Sequence, residues 1–518
     1  MDALVLLIPL LPLTAASIVG IGQLFGMIQG ELDETKTSHI ASWASYLSCL
    51  LALILLGSDL LDKNTGSYTL GHWLNSDTLD VQLNFITSGF SLRLAALFSV
   101  ILAIVIRFSI NYMHRERGYH RFFFFLCLFA FAIQLLVLSG NAIVTFIGWE
   151  VAGLCSYFLI AYVYERPVAA NNATRVFVTN RIGDAGFILG VGLSYAWFDS
   201  VNWGDITAAS EHITIAESTA IALCFAIAAF AKSAQLPFTP WLARAMEGPT
   251  PSSAVFYGAV MVHAGVYLII LLRPIFEQAP LAMTVVAIVG LLTAIYGFIV
   301  GLTQTDVKSS LIFATSGQLG LMYLECGLGF WQIAEWHLCA HAVVRGYQFL
   351  AVPSLMHNMQ NLSTDSSPRR IPAWLYMASL QRFWLDPMTD WALIKPVRCL
   401  AHDLSYFDDH IIDSAMGTPV PAIQVISSLA QREEQRIGAH LDTEADHFAL
   451  GTGLAGKLTQ WMAAILHWFE SHFVLRGIGQ NTINYGRELG HIANSFEQYV
   501  LRPRYLVLFV FITLLVAF

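Results

Sequence analysis

Charged and titratable side chains interrupt several apolar segments of this 518-residue chain. Glu150 lies in FIGWEVAGLCSYFLI, and Lys232 follows the uncharged run STAIALCFAIAAFA. An ionised side chain that faces lipid hydrocarbon costs several kcal/mol or more, so such residues face one another or water. The other members of this set are Arg181, Asp184, His263, Lys308, His337, His341 and Arg345. Their distribution over several segments indicates a buried polar pathway.

The residue types in this set are those of a proton relay. A carboxylate and an amine at similar depth stabilise each other's charged forms, so moving a proton onto one changes the other. A desolvated lysine can release its proton, whereas arginine keeps its charge. His337 and His341 are spaced i and i+4, which places them on one helix face, with Arg345 one turn further. Imidazole titrates near neutral pH, so this pair could pass a proton along that face.

Simpler roles are open for the same residues. Any single Glu or Lys could form a structural ion pair, and the i, i+3 spacing of Arg181 and Asp184 favours an orienting pair over a carrier. The histidines at i and i+4 could bind a metal ion, but neither an HExxH pattern nor a third ligand accompanies them. A pathway remains the favoured interpretation because polar residues within a membrane are functional candidates by default.

The elements that must position these residues are membrane helices. The chain is 56% hydrophobic and 12% charged, with a mean hydropathy of +0.60, which lies outside the range of soluble domains. About 20 apolar residues cross the hydrocarbon core as a helix, and about twelve segments have this character. We therefore predict an all-α polytopic membrane protein. The segments are 3–28, 40–59, 91–110, 121–139, 141–163, 172–197, 216–235, 251–273, 280–301, 308–327, 334–357 and 497–518.

Loop charges predict the orientation in the membrane. The loop RFSINYMHRERGYHR is rich in arginine, whereas the loop before it carries aspartates, so the arginine loop is expected on the cytoplasmic side. The amino terminus is then outside. The first segment lacks a basic region and is too long for a signal peptide, so we predict a retained helix. The seven cysteines include no CxxC pair and predict neither a disulfide framework nor a zinc cluster.

The character of the chain changes after His357. The polar linker NMQNLSTDSSPRR leads into a region that mixes charge with amphipathic stretches. PVRCLAHDLSYFDDHIIDSAMG and TQWMAAILHWFESHFVLRGI each have one apolar face, which predicts helices that lie along a membrane or another subunit.

Ordered motifs in the chain resemble the antiporter-like membrane subunits shared by respiratory complex I (NuoL) and Mrp-type sodium/proton antiporters. They are GWEVAGLCSYFLI, TNRIGD, AKSAQLPFTPWLARAMEGPTPSSA, TDVKSSLIFATSGQLGLM and HLCAHAVVRGYQFL. The resemblance covers roughly residues 80–360. It implies two inverted five-helix repeats in which a broken helix carries a lysine.

Carried over by motif, the resemblance implies that Glu150 and Lys232 form the carboxylate–amine pair of the first half. It likewise implies a central relay of Lys308, His337 and His341. Lys232 immediately precedes SAQLPF, and Pro237 in that motif cannot donate a backbone hydrogen bond. We therefore expect the helix to break just past the lysine.

The chain departs from the family pattern at several positions. In FYGAVMVHAG, Tyr257 stands where the family has a histidine, and His263 lies near the position of a lysine in Mrp subunits. Arg345 stands where the central relay has a lysine, and an arginine cannot release a proton. After the eleventh segment the chain passes directly into the linker, so we expect a truncated second repeat. The predicted organisation is N-terminal helices in 1–120, a first repeat in 121–275, a partial second repeat in 276–358, a cytoplasmic or membrane-surface docking region in 359–496 and a last helix in 497–518.

A shortened chain of this kind resembles the membrane subunit of two-component inorganic carbon accumulation systems, the DabB or MpsA type. The resemblance implies that proton or sodium flow energises CO2 or bicarbonate accumulation across a bacterial inner membrane. It also implies a large soluble DabA/MpsB-like partner at the cytoplasmic face, which resembles a β-carbonic anhydrase and holds the zinc that hydrates CO2. For this chain we expect no metal, no cofactor, no catalytic residue and no nucleic-acid partner. The alternatives are a NuoL-like subunit of complex I, an Mrp antiporter subunit, and a receptor or scaffold without transport.

Overall fold

Long helices make up most of the chain in the computed structural model, which describes residues 2–75, 80–210, 213–304, 306–359 and 372–407. Within these ranges, nine helical segments are long and apolar enough to cross a membrane. The chain is therefore a multi-pass membrane protein, as predicted. The longest helices are α1 (Leu7–Leu24), α2 (Glu34–Asp59), α3 (Gly89–Tyr112), α4 (Tyr119–Leu138), α5 (Ala142–Ile160), α6 (Pro167–Phe198), α8 (Ile215–Lys232), α13 (Pro280–Gly301), α14 (Val307–Gly327) and α15 (Trp331–Met359).

Shorter helices connect and follow these elements. They are α7 (Trp203–Ala209), α9 (Pro240–Arg244), α10 (Thr250–Ser253), α11 (Ala264–Leu271), α12 (Arg273–Glu277), α16 (Ala373–Leu380), α17 (Leu385–Thr389) and α18 (Lys395–Phe407).

Each of the segments predicted before residue 360 corresponds to a helix or to a broken helical segment. The two predicted segments outside the set of nine are α14 and α15. Both are helical, but Lys308 and Glu325 in α14 and the histidines and arginine of α15 lower their apolar character. The predicted helix in 497–518 and the second amphipathic stretch lie outside the described residues.

A β-hairpin, which the all-helical prediction did not include, connects α2 and α3. Strand β1 (Ser67–Asn75) pairs antiparallel with β2 (Asp80–Ile86), with Tyr68 opposite Phe85. Across the hairpin, His72 Nδ1 lies 2.7 Å from Asp80 Oδ1. Hydrogen bonds from Gln82 and His72 hold the pKa of Asp80 below its ordinary value. The run VQLNF in β2 alternates apolar and polar residues, which is the pattern of a strand, but the prediction considered only the long apolar segments.

Polar side chains fix the first turns of the helices that carry the site. Asn141 Oδ1 accepts from the backbone N–H of Val144 at the start of α5, at 2.8 Å. A capping box of Thr214 and Glu217 begins α8. These side chains satisfy N–H groups that have no partner within the helix, which matters most in an apolar environment.

The membrane segment from α10 to α11, Thr250–Leu271, is not one continuous α-helix. A π-helical turn, Ala254–Ala259, follows α10, and a 3-10 turn, Met261–His263, precedes α11. Between the two turns, Val260 has φ −126° and ψ −68°, which is outside the helical region. The break places His263 at an interruption of the helical hydrogen bonding.

Helices α13 and α14 pack with their backbones in direct contact. A Cβ atom on Gly297 would lie 2.6 Å from the backbone nitrogen of Gly317, and one on Gly320 would lie 2.6 Å from that of Ala294. Small residues at such positions allow helices to approach closely in membranes. Any larger residue at Gly297 or Gly320 would separate the two helices.

The chain divides into two compact units, residues 1–389 and 390–518. The described part of the second unit is a π-helical turn, Asp390–Ile394, followed by α18. Val397, Leu400 and Leu404 recur on one face of α18. This part of the first predicted amphipathic stretch is therefore helical.

Candidate functional site

Lys232 is the last residue of α8, and its side chain is fully buried at 1% exposure. The helix ends there, so the predicted break just past the lysine is confirmed. Side chains donate to carbonyl groups at the end of α8: the hydroxyl of Tyr323 donates to Ala229 and Trp241 Nε1 donates to Ala231, each at 2.8 Å. A cation at the carboxyl end of a helix is also favoured by the helix dipole.

The ammonium group of Lys232 contacts Trp149 in α5. Lys232 Nζ donates to the carbonyl oxygen of Trp149 at 2.8 Å and lies 4.9 Å from the centre of the indole ring. A carbonyl oxygen and an aromatic face both stabilise a cation without carrying a full negative charge. The hydrogen bond and the ring contact of the Lys232 ammonium are therefore both made with uncharged groups.

Arg181 of α6 lies between two carboxylates. Its guanidinium forms ion pairs with Glu150 of α5 and with Asp184, and the second joins Arg181 Nη2 to Asp184 Oδ2 at 2.8 Å. Trp149 Nε1 donates to Asp184 Oδ1 at 2.6 Å. The spacing i, i+3 therefore does form the predicted Arg181–Asp184 pair.

The predicted carboxylate–amine pair takes a different form in this structure. Among the described residues, no ion pair within 4.0 Å joins Lys232 to Glu150, and the partner of Glu150 is Arg181. Both cations nevertheless lie beside one point of α5. A Cβ atom on Gly153 would lie 3.2 Å from Arg181 Nη2 and 3.4 Å from Lys232 Nζ. Two carboxylates and two cations thus form one compact group, which we call the Lys232 cluster (Glu150, Arg181, Asp184 and Lys232).

A second group of polar side chains, the histidine cluster (His263, His337, His341 and Arg345), lies on α15 and the broken segment. His263 Nε2 lies 2.9 Å from His341 Nδ1, and both side chains are buried. Arg345 Nε donates to His341 Nε2 at 3.3 Å. The ring centres of His337 and His341 are 6.2 Å apart. The i, i+4 histidines and Arg345 therefore share one face, as predicted, and His263 joins them.

His337 takes its partners from α14. Its Nδ1 lies 2.9 Å from Glu325 Oε1, and its Nε2 lies 2.9 Å from Gln318 Oε1. A histidine between a carboxylate and an amide oxygen has an acceptor at each ring nitrogen, which suits a ring that carries a proton on either side. Glu325 is thus the carboxylate of the histidine cluster.

Lys308 lies apart from the histidines. Its Nζ donates to the backbone carbonyl groups of Met246 at 3.0 Å and Gly248 at 3.3 Å, in the turn after α9. Gln318, which contacts His337, is ten residues further along α14, or about 15 Å at the helical rise. Lys308 therefore anchors the turn before α10 in this structure, and its role as a relay stays a prediction.

Tyr257 and His263 occupy different surroundings. Tyr257 lies in the π-helical turn, where its ring centre is 6.2 Å from that of Trp241 in α9. His263 contacts His341. Of the two, His263 is the residue that the fold brings to the histidine cluster.

The sequence analysis missed several residues that complete these clusters. Glu325 interrupts the apolar run LMYLECGLGF, so the criterion applied to the other charged residues would have found it. Trp149 acts through its backbone carbonyl and its uncharged indole, Gly153 through its lack of a side chain, and Gln318 through an uncharged amide. None of these three features stands out in a sequence.

A metal at the histidines gains no geometric support. In the part of the chain that the structure describes, no group of three or more His, Cys, Asp or Glu side chains is arranged to hold a metal ion. The contacts of His337 and His341 are instead those of a hydrogen-bonded network.

Two family models match the chain. Residues 139–378 match the family described as NADH:quinone oxidoreductase/Mrp antiporter, TM, and residues 73–123 match NADH-Ubiquinone oxidoreductase (complex I), chain 5 N-terminus. The chain belongs to the antiporter-like membrane subunit family of complex I and Mrp antiporters. Both clusters lie largely within the first of these matches, so the family region is also the region of buried charge.

Relatives and solved structures agree with this family. The chain is 36% identical over 367 residues to "NAD(P)H-quinone oxidoreductase chain 5" of Synechocystis sp., which is 69% of this chain and 53% of that relative. It is 34% identical to "NAD(P)H-quinone oxidoreductase subunit 5, chloroplastic" of Zygnema circumcarinatum, covering 73% of this chain and 54% of that protein. The antiporter-like chain thus spans about half the length of the curated relatives it matches.

The antiporter-like fold is also found in solved complexes. A chain of the Mrp complex from Dietzia sp. aligns with a TM-score of 0.60 at 25% identity, covering 70% of this chain and 39% of that one. A chain of respiratory complex I from Thermus thermophilus aligns with a TM-score of 0.57 at 17% identity, covering 68% of this chain and 71% of that one. These alignments support the predicted antiporter-like membrane fold.

Proposed function

We propose that the chain is an ion-translocating subunit of a membrane complex of the complex I or Mrp type. The observation that carries this proposal is the burial of Lys232 at the end of an interrupted helix, next to a network of ion pairs. Buried ionisable groups in membranes are retained where they conduct ions or protons. A receptor or scaffold would have no use for a cation in this position.

The contacts of the Lys232 cluster suggest how a proton is held and released. Arg181 keeps its charge and pairs with both Glu150 and Asp184, so each carboxylate has a cationic partner other than the lysine. Lys232 is stabilised by the carbonyl and ring of Trp149. Loss of its proton leaves a neutral amine and one net negative charge, which the two carboxylates share around Arg181. If Arg181 turned from Glu150 toward Asp184 alone, the freed carboxylate would attract the ammonium and favour its protonated form.

The two clusters are physically connected near the break in the helices. Ser233 follows Lys232, and its hydroxyl donates to the carbonyl oxygen of Val262 at 2.6 Å, next to His263. Tyr323 donates to the hydroxyl of Ser233 at 3.0 Å. A displacement at the end of α8 therefore acts directly on the turn that holds His263. This contact supports a path from the Lys232 cluster to the histidine cluster.

Inorganic carbon accumulation with a soluble zinc partner is the narrower proposal. It is supported by the sequence resemblance alone. The family models and relatives name complex I and Mrp proteins, and they favour the complex I or Mrp alternative over it. In the carbon system, zinc and CO2 hydration would belong to the partner, and this chain would supply ion flow.

The experiment that tests the proposal begins with purification of the chain with its native partners in mild detergent. The complex is reconstituted in liposomes, and proton and sodium fluxes are measured separately under an imposed gradient. Ion flux that depends on Lys232 supports translocation, and its absence in an intact complex contradicts it. Co-purifying subunits then distinguish the assemblies: redox subunits indicate a complex I type, further antiporter-like subunits an Mrp type, and one large soluble zinc protein a carbon system.

A further inference from the structure

Arg345 donates hydrogen bonds to two neighbours on α15. Its Nε donates to His341 Nε2 at 3.3 Å, and its Nη1 donates to Gln348 Oε1 at 2.8 Å. A guanidinium has five N–H donors and no acceptor, and it keeps its charge in proteins. His341 Nε2 must therefore be the acceptor, so it carries no hydrogen in this arrangement.

This assignment determines the hydrogen positions of both histidines. A neutral His341 with a free lone pair on Nε2 carries its hydrogen on Nδ1 and donates it to His263 Nε2, at 2.9 Å. His263 then carries its own hydrogen on Nδ1. That nitrogen is buried. The lone pairs of both rings are thus occupied, one by Arg345 and one by His341.

We infer that Arg345 is a positioning residue that holds His341 and His263 in one tautomer closed to protons, and that the pair takes up a proton only after the guanidinium leaves His341. The inference rests on the proposed ion translocation and adds a gate to it. It follows from the directions of two hydrogen bonds, the first of which a neutral lysine at this position could reverse, because an unprotonated amine also accepts a hydrogen bond. An arginine makes the closed state independent of its own titration.

The charged surroundings of His341 support a closed resting state. His263 faces it from the broken segment, and His337 and Arg345 face it from α15 itself. From α14, Glu325 pairs with His337. A proton on His341 would place a second positive charge beside the guanidinium, with the only carboxylate of this group already paired to another ring. Movement of Arg345 away from His341 frees the lone pair on Nε2. It also removes the repulsion between the guanidinium and a protonated His341.

The relay through the open pair conserves protons. One proton binds His341 Nε2, the Nδ1 proton of His341 passes to His263 Nε2, and the Nδ1 proton of His263 leaves. Both rings end in the opposite tautomer, in which the N–H at His341 Nε2 opposes the N–H of Arg345. The guanidinium can return only after both rings reset. Arg345 thus separates one transfer from the next.

The test is nitrogen NMR of the full-length chain in lipid bilayers, labelled with 15N-histidine. The chain has 16 histidines, so the signals of His341 and His263 are assigned by their loss in His341→Gln and His263→Gln. For the wild-type chain we expect both rings neutral with hydrogen on Nδ1, unchanged between about pH 5 and 8, where free imidazole titrates. In Arg345→Met we expect that single tautomer to be lost and His341 to bind a proton in this range.

Two further variants define the control and the conservative replacement. Arg345→Lys keeps a charged donor, so we expect the wild-type tautomer to return. Arg273→Met removes an exposed arginine that pairs with Glu277 outside the cluster, and the histidine signals should not change.

Hydrogen on Nε2 of His341 in the wild-type chain would overturn the inference, as would an Arg345→Met spectrum identical to that of the wild type. If Arg345→Met fails to fold, the tautomer of His341 in the wild-type chain is by itself the test of the inference. The NMR measurement does not depend on ion flux, so it tests the role of Arg345 separately from the proposed function. A chain that conducts no ions but shows the expected tautomers would contradict only the proposed function.

Discussion

The ammonium group of Lys232 is bound to the backbone carbonyl of Trp149 rather than to a carboxylate, across 2.8 Å. A carboxylate partner would hold the proton of a buried lysine strongly, because removing that proton would leave an unpaired negative charge. With a carbonyl oxygen as the direct partner, both carboxylates stay paired with Arg181 when that proton leaves, and the cluster gains one net negative charge. Under the proposed function, this arrangement leaves the proton of Lys232 exchangeable.

Lys232→Met should abolish coupled ion flux. Methionine fills a similar volume, so we expect the complex to assemble, while transport falls by at least about tenfold because the titrating group is gone. Flux in liposomes and size-exclusion chromatography measure the two effects. Lys36→Met, at an exposed position paired with Asp33, is the matched control. A normal rate in Lys232→Met would remove this residue from the mechanism.

Arg181→Met should destabilise the protein more than Glu150→Gln does. The first change leaves Glu150 and Asp184 without their shared cation, at a cost of about 3 kcal/mol for a broken buried pair. The second keeps size and hydrogen bonding and leaves Arg181 paired with Asp184. Thermal unfolding in detergent tests this order. Equal melting temperatures for the two variants would contradict the pairing of Arg181 with both carboxylates.

Gly153→Ala should reduce ion flux without unfolding the chain. The added methyl would lie 3.2 Å from Arg181 Nη2, which must shift, and 3.4 Å from Lys232 Nζ, which is an ordinary van der Waals contact. Gly192→Ala in α6, where a Cβ meets nothing within 4 Å, is the control. Both changes favour the helix by about 1 kcal/mol, so a difference in flux reports on the cluster. Equal flux in the two variants would show that the space at Gly153 is unimportant.

Thr214→Ala should weaken the start of α8. The hydroxyl of Thr214 accepts from the backbone N–H of Glu217, and the carboxylate of Glu217 accepts from the backbone N–H of Thr214. Loss of such a cap costs about 1 kcal/mol. Thr219→Ala, within the same helix, removes no cap and serves as control. Thermal unfolding should show a lower midpoint for Thr214→Ala alone, and matching midpoints would mean that the capping box contributes little.

Much of the membrane architecture could be predicted from the sequence, because a helix in lipid requires a long and predominantly apolar run. Segments such as 121–139 and 280–301 agree closely with α4 and α13. The end of α8 could be predicted from Pro237, which removes a backbone donor. The hairpin was not predicted, although Val81, Leu83 and Phe85 alternate with polar residues in β2, because only long apolar runs entered the prediction.

The contacts within the site were less predictable than its residue types. Whether Glu150 meets Lys232 or Arg181 depends on how α5 rotates against α6 and α8, which apolar periodicity does not specify to within one side chain. The same is true of His263, whose contact with His341 follows from the break at Val260. The partner of Lys232 is a main-chain oxygen, and every residue has one.

The glycine-lined contact between α13 and α14 has a mechanical consequence. With no side chains between the two backbones at Gly297 and Gly320, there is no layer of rotamers to rearrange, so the two helices can move only as one body. Glu325 and Gln318 belong to that body, whereas His337 and His341 lie on α15. Helices α13 and α14 therefore stay in place relative to each other when α15 moves. A small rotation of α15 would form or break the two hydrogen bonds that join His337 to α14.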